Sequence, residues 1–68
     1  MTDVIIDTED RFIGKYKNHR ISIARISLNF FDADVQDSTH LVLEMQEYFI
    51  DIEAAKQSMI DYIDKLYN

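Results

Sequence analysis

The chain has 68 residues, of which 47% are hydrophobic and none is cysteine, and it carries a formal net charge of −6. This length accommodates one domain, and the lack of cysteine excludes disulfides and thiolate metal sites. No apolar run approaches the ~20 residues of a membrane span, and the first residues lack the basic region of a signal peptide. The sequence therefore predicts a cytoplasmic protein with no membrane partner.

Charge is unevenly distributed along the chain. Residues 1–10 carry four acids and no base, whereas residues 11–31 carry five bases and no acid. Residues 32–68 carry nine acids and two bases. A basic segment between two acidic segments predicts a polarised surface, which is typical of proteins that bind a charged partner.

The N-terminal segment comprises residues 1–10, in which an apolar triplet at 4–6 is set among acids and threonines. This composition predicts an acidic tail or a short edge strand. The rest of the chain, residues 11–68, is predicted to form a single βββα domain.

Two strands are predicted in the basic segment. Residues 11–17 alternate with the period of a strand, and residues 20–30 do the same on both sides of a phase change at Ala24 and Arg25. One inserted residue produces such a change, so we expect a β-bulge there.

The connections of this segment are predicted from their polar residues. Asn18 and His19 are expected to form the tight turn between the two strands, because Asn tolerates positive φ angles. Residues 32–38, which are rich in Asp, are expected to form a polar loop.

The segment that follows admits two interpretations. In the first, residues 39–49 form a third strand and a helix runs from 52 to 66, with Asp51 as its N-cap. In the second, residues 39–67 form one helix, because apolar residues recur there every seven positions. We choose the first, because the second leaves a two-stranded sheet, which is marginally stable alone.

The predicted fold class is therefore α+β, with a three-stranded antiparallel sheet packed by one C-terminal helix. The alternative is a β-hairpin followed by one long C-terminal helix. The residues expected in the core are Ile21, Leu43, Phe49, Ala55, Met59 and Ile63.

The junction between the third strand and the helix reads Phe49-Ile50-Asp51-Ile52-Glu53-Ala54-Ala55-Lys56. It resembles a strand-to-helix junction found in small phage and mobile-element proteins of βββα type, and residues 14–21 are similar to their first hairpin. Most such proteins have no known function. The resemblance implies a small modulator or inhibitor of a host or defence protein.

The residues that could support catalysis or metal binding are poorly arranged for either. Asp37, Ser38, Thr39 and His40 include the residue types of a nucleophilic triad, but adjacent residues cannot converge as a triad requires. A calcium loop needs a Gly at its turn and a bidentate Glu at its end, and neither stands at the required offset. The sequence predicts no enzyme, no cofactor and no metal site.

Two sets of residues are candidates for interaction. Basic strands with interleaved aromatic rings can contact phosphates and stack on bases. This set, the basic hairpin within residues 11–25, contains Arg11, Lys15, Tyr16, Lys17, His19, Arg20 and Arg25. The second set, the acidic surface, can mimic phosphates toward a basic partner. It contains Asp32, Asp34, Asp37, Glu53, Asp61 and Asp64.

Three functions are weighed from these features. The leading hypothesis is a non-enzymatic protein-binding module, because the chain is small, lacks catalytic residues and has a polarised charge distribution. The first alternative is a nucleic-acid-binding accessory protein that uses the basic hairpin. The second is a self-associating structural protein, such as a homodimer, in which basic and acidic regions of two copies pair.

Overall fold

The computed structural model describes residues 3–67, in which five strands are followed by one helix. Their bounds are β1 (Asp3–Asp7), β2 (Arg11–Tyr16), β3 (His19–Ser27), β4 (Phe30–Gln36), β5 (Leu41–Tyr48) and α1 (Ile52–Leu66). Every strand pairs antiparallel with its neighbour in the chain, so the sheet is a meander of order β1-β2-β3-β4-β5. Met1 and Thr2 of the predicted tail, and Asn68, lie outside the described residues.

Helix α1 packs across β2, β3 and β4 on one face of the sheet. Alternate residues of each strand point to that face, and residues three or four apart on α1 point back at them. Both patterns therefore converge on one core. It consists of Phe12, Ile21, Ile23, Phe31, Ala33, Val35, Ile52, Ala55, Met59 and Ile63.

The predicted three-stranded sheet is wrong, because the sheet has five strands, including a strand where a polar loop was expected. In β4, Ala33 and Val35 are buried under the helix while Asp32 and Asp34 point to the opposite face. Burial of the alternating apolar residues outweighs the low strand propensity of Asp. The alternative with one long helix is also wrong, because β5 occupies the first part of that segment.

Two local predictions in the basic segment are displaced by one or two residues. The turn between β2 and β3 is formed by Lys17 and Asn18, with φ angles of 48° and 64°, while His19 begins β3. Positive φ at both central residues is the geometry that matches the twist of a two-residue hairpin. The irregularity in β3 lies between Arg25 and Ser27.

The predicted helix and its cap are confirmed. Helix α1 runs from Ile52 to Leu66, and the Asp51 side chain accepts a hydrogen bond of 2.9 Å from the Ala54 amide. Among the residues expected in the core, four are buried and two, Leu43 and Phe49, are partly buried against it. The four buried residues are Ile21, Ala55, Met59 and Ile63.

The meander gives the molecule two distinct ends. The β1–β2 turn, the β3–β4 turn and the β5–α1 junction lie at one end, where the Phe49 amide donates to the Asn29 carbonyl at 2.8 Å. The β2–β3 turn, the β4–β5 loop and the last turn of α1 lie at the other, where the Tyr67 hydroxyl donates to the Lys17 carbonyl at 3.3 Å. No helix within residues 3–67 is long and apolar enough to cross a membrane.

Candidate protein interface

Four apolar side chains are exposed where the β3–β4 turn meets the β5–α1 junction. Leu28 is 81% exposed, Ile50 is 80% exposed and Tyr48 is 74% exposed, and Ile26 is about half exposed. We call these four residues the apolar end. Single exposed apolar residues are common on protein surfaces, but a group of them at one place is typical of a binding surface.

The backbone at the apolar end is held by specific contacts. Asn29 adopts a φ of 60°, which closes the turn that carries Leu28, and its carbonyl accepts the Phe49 amide bond described above. The Phe30 and Tyr48 rings pack together with their centroids 4.7 Å apart. Leu28 and Ile50 therefore stand on two connections that are bonded to each other, and Ile26 and Tyr48 lie at the ends of the strands that lead into them.

Acidic residues surround the apolar end. A shallow depression between the β1–β2 turn and the start of α1 contains acids from both elements. The acids at this end of the molecule are Asp7, Glu9, Asp10, Glu47, Asp51 and Glu53. They outnumber the cations there, which are Arg11, Arg25 and Lys56. This end therefore has an excess of negative charge.

Two of those cations, Arg25 and Lys56, form ion pairs with acids at the same end of the molecule. Arg25 Nε lies 3.0 Å from Asp10 Oδ1, and Arg25 Nη2 donates to the Glu9 carbonyl at 3.1 Å. Lys56 Nζ lies 2.9 Å from Glu53 Oε1 and sits over the Phe12 ring. Arg25 also covers the Phe31 ring at 4.9 Å, so both cations pack against the core.

The basic hairpin is divided between the two faces of the sheet. The Tyr16 hydroxyl and Lys17 Nζ each donate to Asp64 Oδ1 at 2.7 Å, on the helix side. These bonds raise the pKa of Tyr16 and of Lys17, and they lower the pKa of Asp64, with the Lys17 bond as the larger cause. Lys17 therefore forms an ion pair with Asp64, a residue that the sequence analysis placed in the acidic surface.

His19 also has a structural position. Its side chain is buried, Nδ1 lies 2.8 Å from the Lys17 carbonyl, and the ring packs edge-on against Tyr67. With Tyr16, Lys17 and Arg25 engaged as described, three residues of the predicted basic hairpin remain exposed on the sheet. They are Arg11, Lys15 and Arg20, on the face opposite α1.

The acidic surface is likewise divided. Asp32 and Asp34 lie on the face opposite α1, where Asp34 is the cross-strand partner of Glu44. Partial burial, and then the charges of Asp32 and Glu44, raise the pKa of Asp34, while Arg20 opposes this rise. Glu53, Asp61 and Asp64 lie on α1, and Asp61 accepts a 2.9 Å bond from Gln57. These acids do not form one continuous surface.

Asp37 organises the β4–β5 loop. Its Oδ1 accepts hydrogen bonds from the Thr39 amide, the Thr39 hydroxyl and the His40 amide, at 2.8, 3.0 and 2.8 Å. The Thr39 and His40 backbone bonds are the main cause that lowers the Asp37 pKa to about 2. The residues that supply triad types in the sequence thus form a side-chain-stabilised turn.

Neither a metal site nor a likeness to known proteins points to a function for this chain. Within the part of the chain that the structure describes, no three His, Asp or Glu side chains are grouped so as to hold a metal ion. No protein-family model, curated protein or solved structure matches the chain.

The apolar end was missed by the sequence analysis. Its residues were assigned to a single strand over 20–30 and to the β5–α1 junction, which are some twenty residues apart in the sequence. The available signal was Asn29 between two apolar stretches, because Asn at positive φ is a common turn residue.

Proposed function

We propose that this protein is a small non-enzymatic binding module that docks a partner protein through the apolar end. The observation that supports this proposal most is the exposure of Leu28 and Ile50 on two connections bonded through Asn29 and Phe49, with the exposed Tyr48 beside them at the end of β5. Burying such side chains stabilises a complex by about 25 cal/mol per Å² of apolar surface removed from water. Their fixed backbone lowers the ordering cost of binding.

The proposed partner surface has apolar side chains flanked by Lys or Arg. The acids around the apolar end outnumber the cations, and Arg25 and Lys56 are already paired. A basic partner would complement this charge and be attracted to it at low salt, whereas an acidic partner would be repelled. The acids thus contribute specificity, and the apolar residues contribute most of the affinity.

The proposed biological form of this function is inhibition or modulation of a host or defence protein in the cytoplasm. The support for it is the strand-to-helix junction at 49–56, which resembles that of small phage and mobile-element proteins, and the placement of Ile50 of that junction in the apolar end. An inhibitor needs only a stable binding surface, which a domain of this size provides.

Binding of nucleic acid through the basic hairpin has weaker support. Lys17 and Arg25 are paired with acids, Tyr16 bonds to Asp64 and His19 is buried. The three cations left on the sheet share their face with Asp32, Asp34 and Glu44, which repel phosphates. We therefore retain this function as an outcome of the test below.

The test is selection of a displayed random-peptide library on the wild-type protein. The selected peptides are then measured against the double variant Leu28→Ser/Ile50→Ser. The matched control is Leu41→Ser/Leu66→Ser, which alters two exposed leucines at the opposite end of the molecule. Circular dichroism establishes that both variants are folded.

The expected result is enrichment of peptides that combine large apolar residues with Lys or Arg. Their affinity should fall at least about tenfold for the apolar-end variant and stay unchanged for the control. Equal binding to both variants would contradict the proposal. Sub-micromolar binding of mixed DNA or RNA by the wild-type protein, measured by fluorescence anisotropy, would favour the nucleic-acid alternative instead.

A further inference from the structure

Strand β5 is an edge of the sheet, because it pairs only with β4 within the part of the chain that the structure describes. The Phe49 amide bond to the Asn29 carbonyl continues the register of the β4–β5 ladder, so these two residues are a hydrogen-bonded pair. Such pairs alternate along an antiparallel ladder. Met45 therefore bonds to β4, whereas the backbone groups of Glu44 and Gln46 point away from the sheet, where a further strand can pair with them.

The two edges of the sheet differ in how well they are protected from such pairing. Natural edge strands are protected by short length, bulges, Lys or Pro. β1 is 5 residues long, begins and ends with Asp, and is interrupted by a register shift between Val4 and Ile6. β5 is 8 residues long, contains neither Lys nor Pro, and is in continuous register with β4 from Leu43 onward. β5 is therefore the edge that is open to an added strand.

An apolar groove runs along the helix side of β5. Helix α1 covers β2, β3 and β4 but not β5, so Leu43 and Met45 are only partly buried. With Met59 and Tyr62 of α1 they line a groove of about 290 Å³. The side chains of a strand alternate between the two faces of its sheet, so every second side chain of an added strand would lie beside Leu43 and Met45. The groove therefore favours apolar residues at those positions.

The opposite face of the same edge is acidic. Asp32, Asp34 and Glu44 lie on the face away from α1, and Asp34 is the cross-strand partner of Glu44. Among residues 3–67, no cation lies within 4 Å of any of these three carboxylates. Like charges placed directly opposite are destabilising. A cation on an added strand beside Glu44 would reduce this repulsion.

We infer that the β5 edge binds an extended segment of a partner protein in which apolar residues alternate with Lys or Arg. The backbone of the segment pairs with Glu44 and Gln46, its apolar side chains lie at the groove, and its cations face the three acids. The two faces of the edge make different demands, and a strand meets both because its side chains alternate with a period of two.

A second copy of this chain does not meet these demands. The edges of its sheet are β1 and β5, in which every charged residue is an acid. Strands β2 and β3 carry four cations, but both strands are paired on each side within their own sheet. Charge complementarity therefore favours a different protein over self-association.

The β5 edge is distinct from the apolar end of the proposed function. Leu28 and Ile50 lie on the connections beyond the strands, whereas the groove residues Leu43 and Met45 lie within β5. Removing Leu28 and Ile50 should therefore leave strand addition unchanged, so failure of one proposal can be distinguished from failure of the other.

The experiment measures two synthetic peptides with blocked ends, KVKLKVK and KKKKVLV, by fluorescence anisotropy against the wild-type protein. The peptides have the same composition and charge, but only the first alternates. Gln46→Pro removes the outward N–H while the ladder to β4 is kept, because Pro is tolerated in an edge strand when its missing N–H faces solvent. Gln46→Ala is the matched control, since it keeps the N–H. Circular dichroism establishes that the variants are folded.

Two further measurements do not depend on the Pro variant. Glu44→Lys changes an exposed side chain and tests the acidic face. Amide exchange of the wild-type protein with and without KVKLKVK reports directly on the edge. The amides of Glu44 and Gln46 should exchange more slowly when the peptide is bound, whereas the Met45 amide should be slow in both states.

The expected result is that the wild-type protein and Gln46→Ala bind KVKLKVK at least about tenfold more tightly than KKKKVLV, and that Gln46→Pro and Glu44→Lys lose this preference. Equal affinity for the two peptides, or no binding of KVKLKVK at millimolar concentration, would overturn the inference. So would unchanged exchange at Glu44 and Gln46 in the presence of bound peptide. Binding that is lost in Leu28→Ser/Ile50→Ser would also overturn it, because the peptide would then occupy the apolar end.

Discussion

Lys17 Nζ lies 2.7 Å from Asp64 Oδ1, which joins the β2–β3 turn to the last part of α1 across 47 residues of sequence. The Tyr16 hydroxyl donates to the same carboxylate oxygen at 2.7 Å. One carboxylate therefore fixes the C-terminal half of the helix to the hairpin beneath it.

Asp64→Asn is expected to lower the melting temperature at neutral pH by a few degrees, because Asn cannot form the ion pair with Lys17. The pKa of Asp64 is lower in the folded protein than its unfolded value near 3.8. The contribution of Asp64 to the free energy of unfolding is therefore present above pH 3.8 and is lost as the pH falls through the folded pKa. The melting temperature of the variant should therefore fall less steeply than that of the wild type as the pH is lowered. Thermal melts from pH 7 to 2 test this, with Asp61→Asn as the control. An identical acid profile for Asp64→Asn and wild type would contradict it.

Tyr16 is expected to ionise at a pH above the ordinary value for a tyrosine side chain. Its hydrogen bond to Asp64 is the main cause that raises its pKa above 10.0. This contribution to stability is present below the unfolded pKa and is lost as pH rises through the folded pKa. Tyrosinate absorbance should show a phase that titrates above pH 10.0 and moves to lower pH in Asp64→Asn. Replacement of Tyr16 by Phe should remove that phase. A phase that persists above pH 10.0 in this variant would contradict its assignment to Tyr16.

Asp37→Ala is expected to destabilise the β4–β5 loop, because three donors from Thr39 and His40 lose their acceptor. The folded pKa of about 2 places the loss of this contribution between about pH 4 and pH 2 in the wild type. The variant should lack that part of the acid transition. Hydrogen exchange at the Thr39 and His40 amides is the local measurement. Unchanged protection there would show that Asp37 does not hold the loop.

Gly14→Ala is expected to cost about 1–3 kcal/mol, because the added methyl enters occupied space. A Cβ at Gly14 would lie 2.7 Å from Phe12 Cζ and 2.8 Å from the Asp3 carbonyl oxygen. The Asp3 backbone belongs to β1, so the substitution should release this edge strand before the rest of the sheet. Amide exchange should accelerate in β1 and stay slow in β3. Replacement of the half-buried Ala24 by Gly is the control, which creates no clash.

Met59→Ala is expected to lower the free energy of unfolding by about 2–4 kcal/mol. Met59 is fully buried in the middle of α1, and its removal leaves a cavity between the helix and the sheet. Urea unfolding measures the change. Leu66→Ala, at an exposed site on the same helix, should cost far less. Equal midpoints for the two variants would mean that Met59 does not pack as described.

Helix α1 was predictable because its signals are local. The Asp51 cap and the stripe from Ile52 to Ile63 are encoded within the helix itself and need no knowledge of the sheet. Strand β4 was not predictable from local signals, because Asp32 and Asp34 give it the composition of a loop. Only its packing under α1 distinguishes the alternation of Phe31, Ala33 and Val35 from a loop with scattered apolar residues.

The candidate interfaces depend on the order of the strands, which the sequence does not state. Leu28 and Ile50 lie at the same end of the molecule because β4 runs away from that end and β5 returns to it. Lys17 and Asp64 belonged to two predicted surfaces of opposite charge, yet the fold pairs them. The charge pattern therefore identified which segments of the chain are basic and which are acidic, but the order of the strands decides which of these charges remain unpaired on the surface.

The packing of a single helix over the sheet has a consequence for partial unfolding. Strand pairing in the meander involves only consecutive segments, whereas the apolar face of the sheet, including Ile21, Ile23 and Phe31, is covered by α1. If α1 detaches while the strands stay paired, this apolar face becomes exposed to water, and an exposed apolar face favours aggregation. Detachment of the helix is therefore the local opening that would make this protein prone to aggregate.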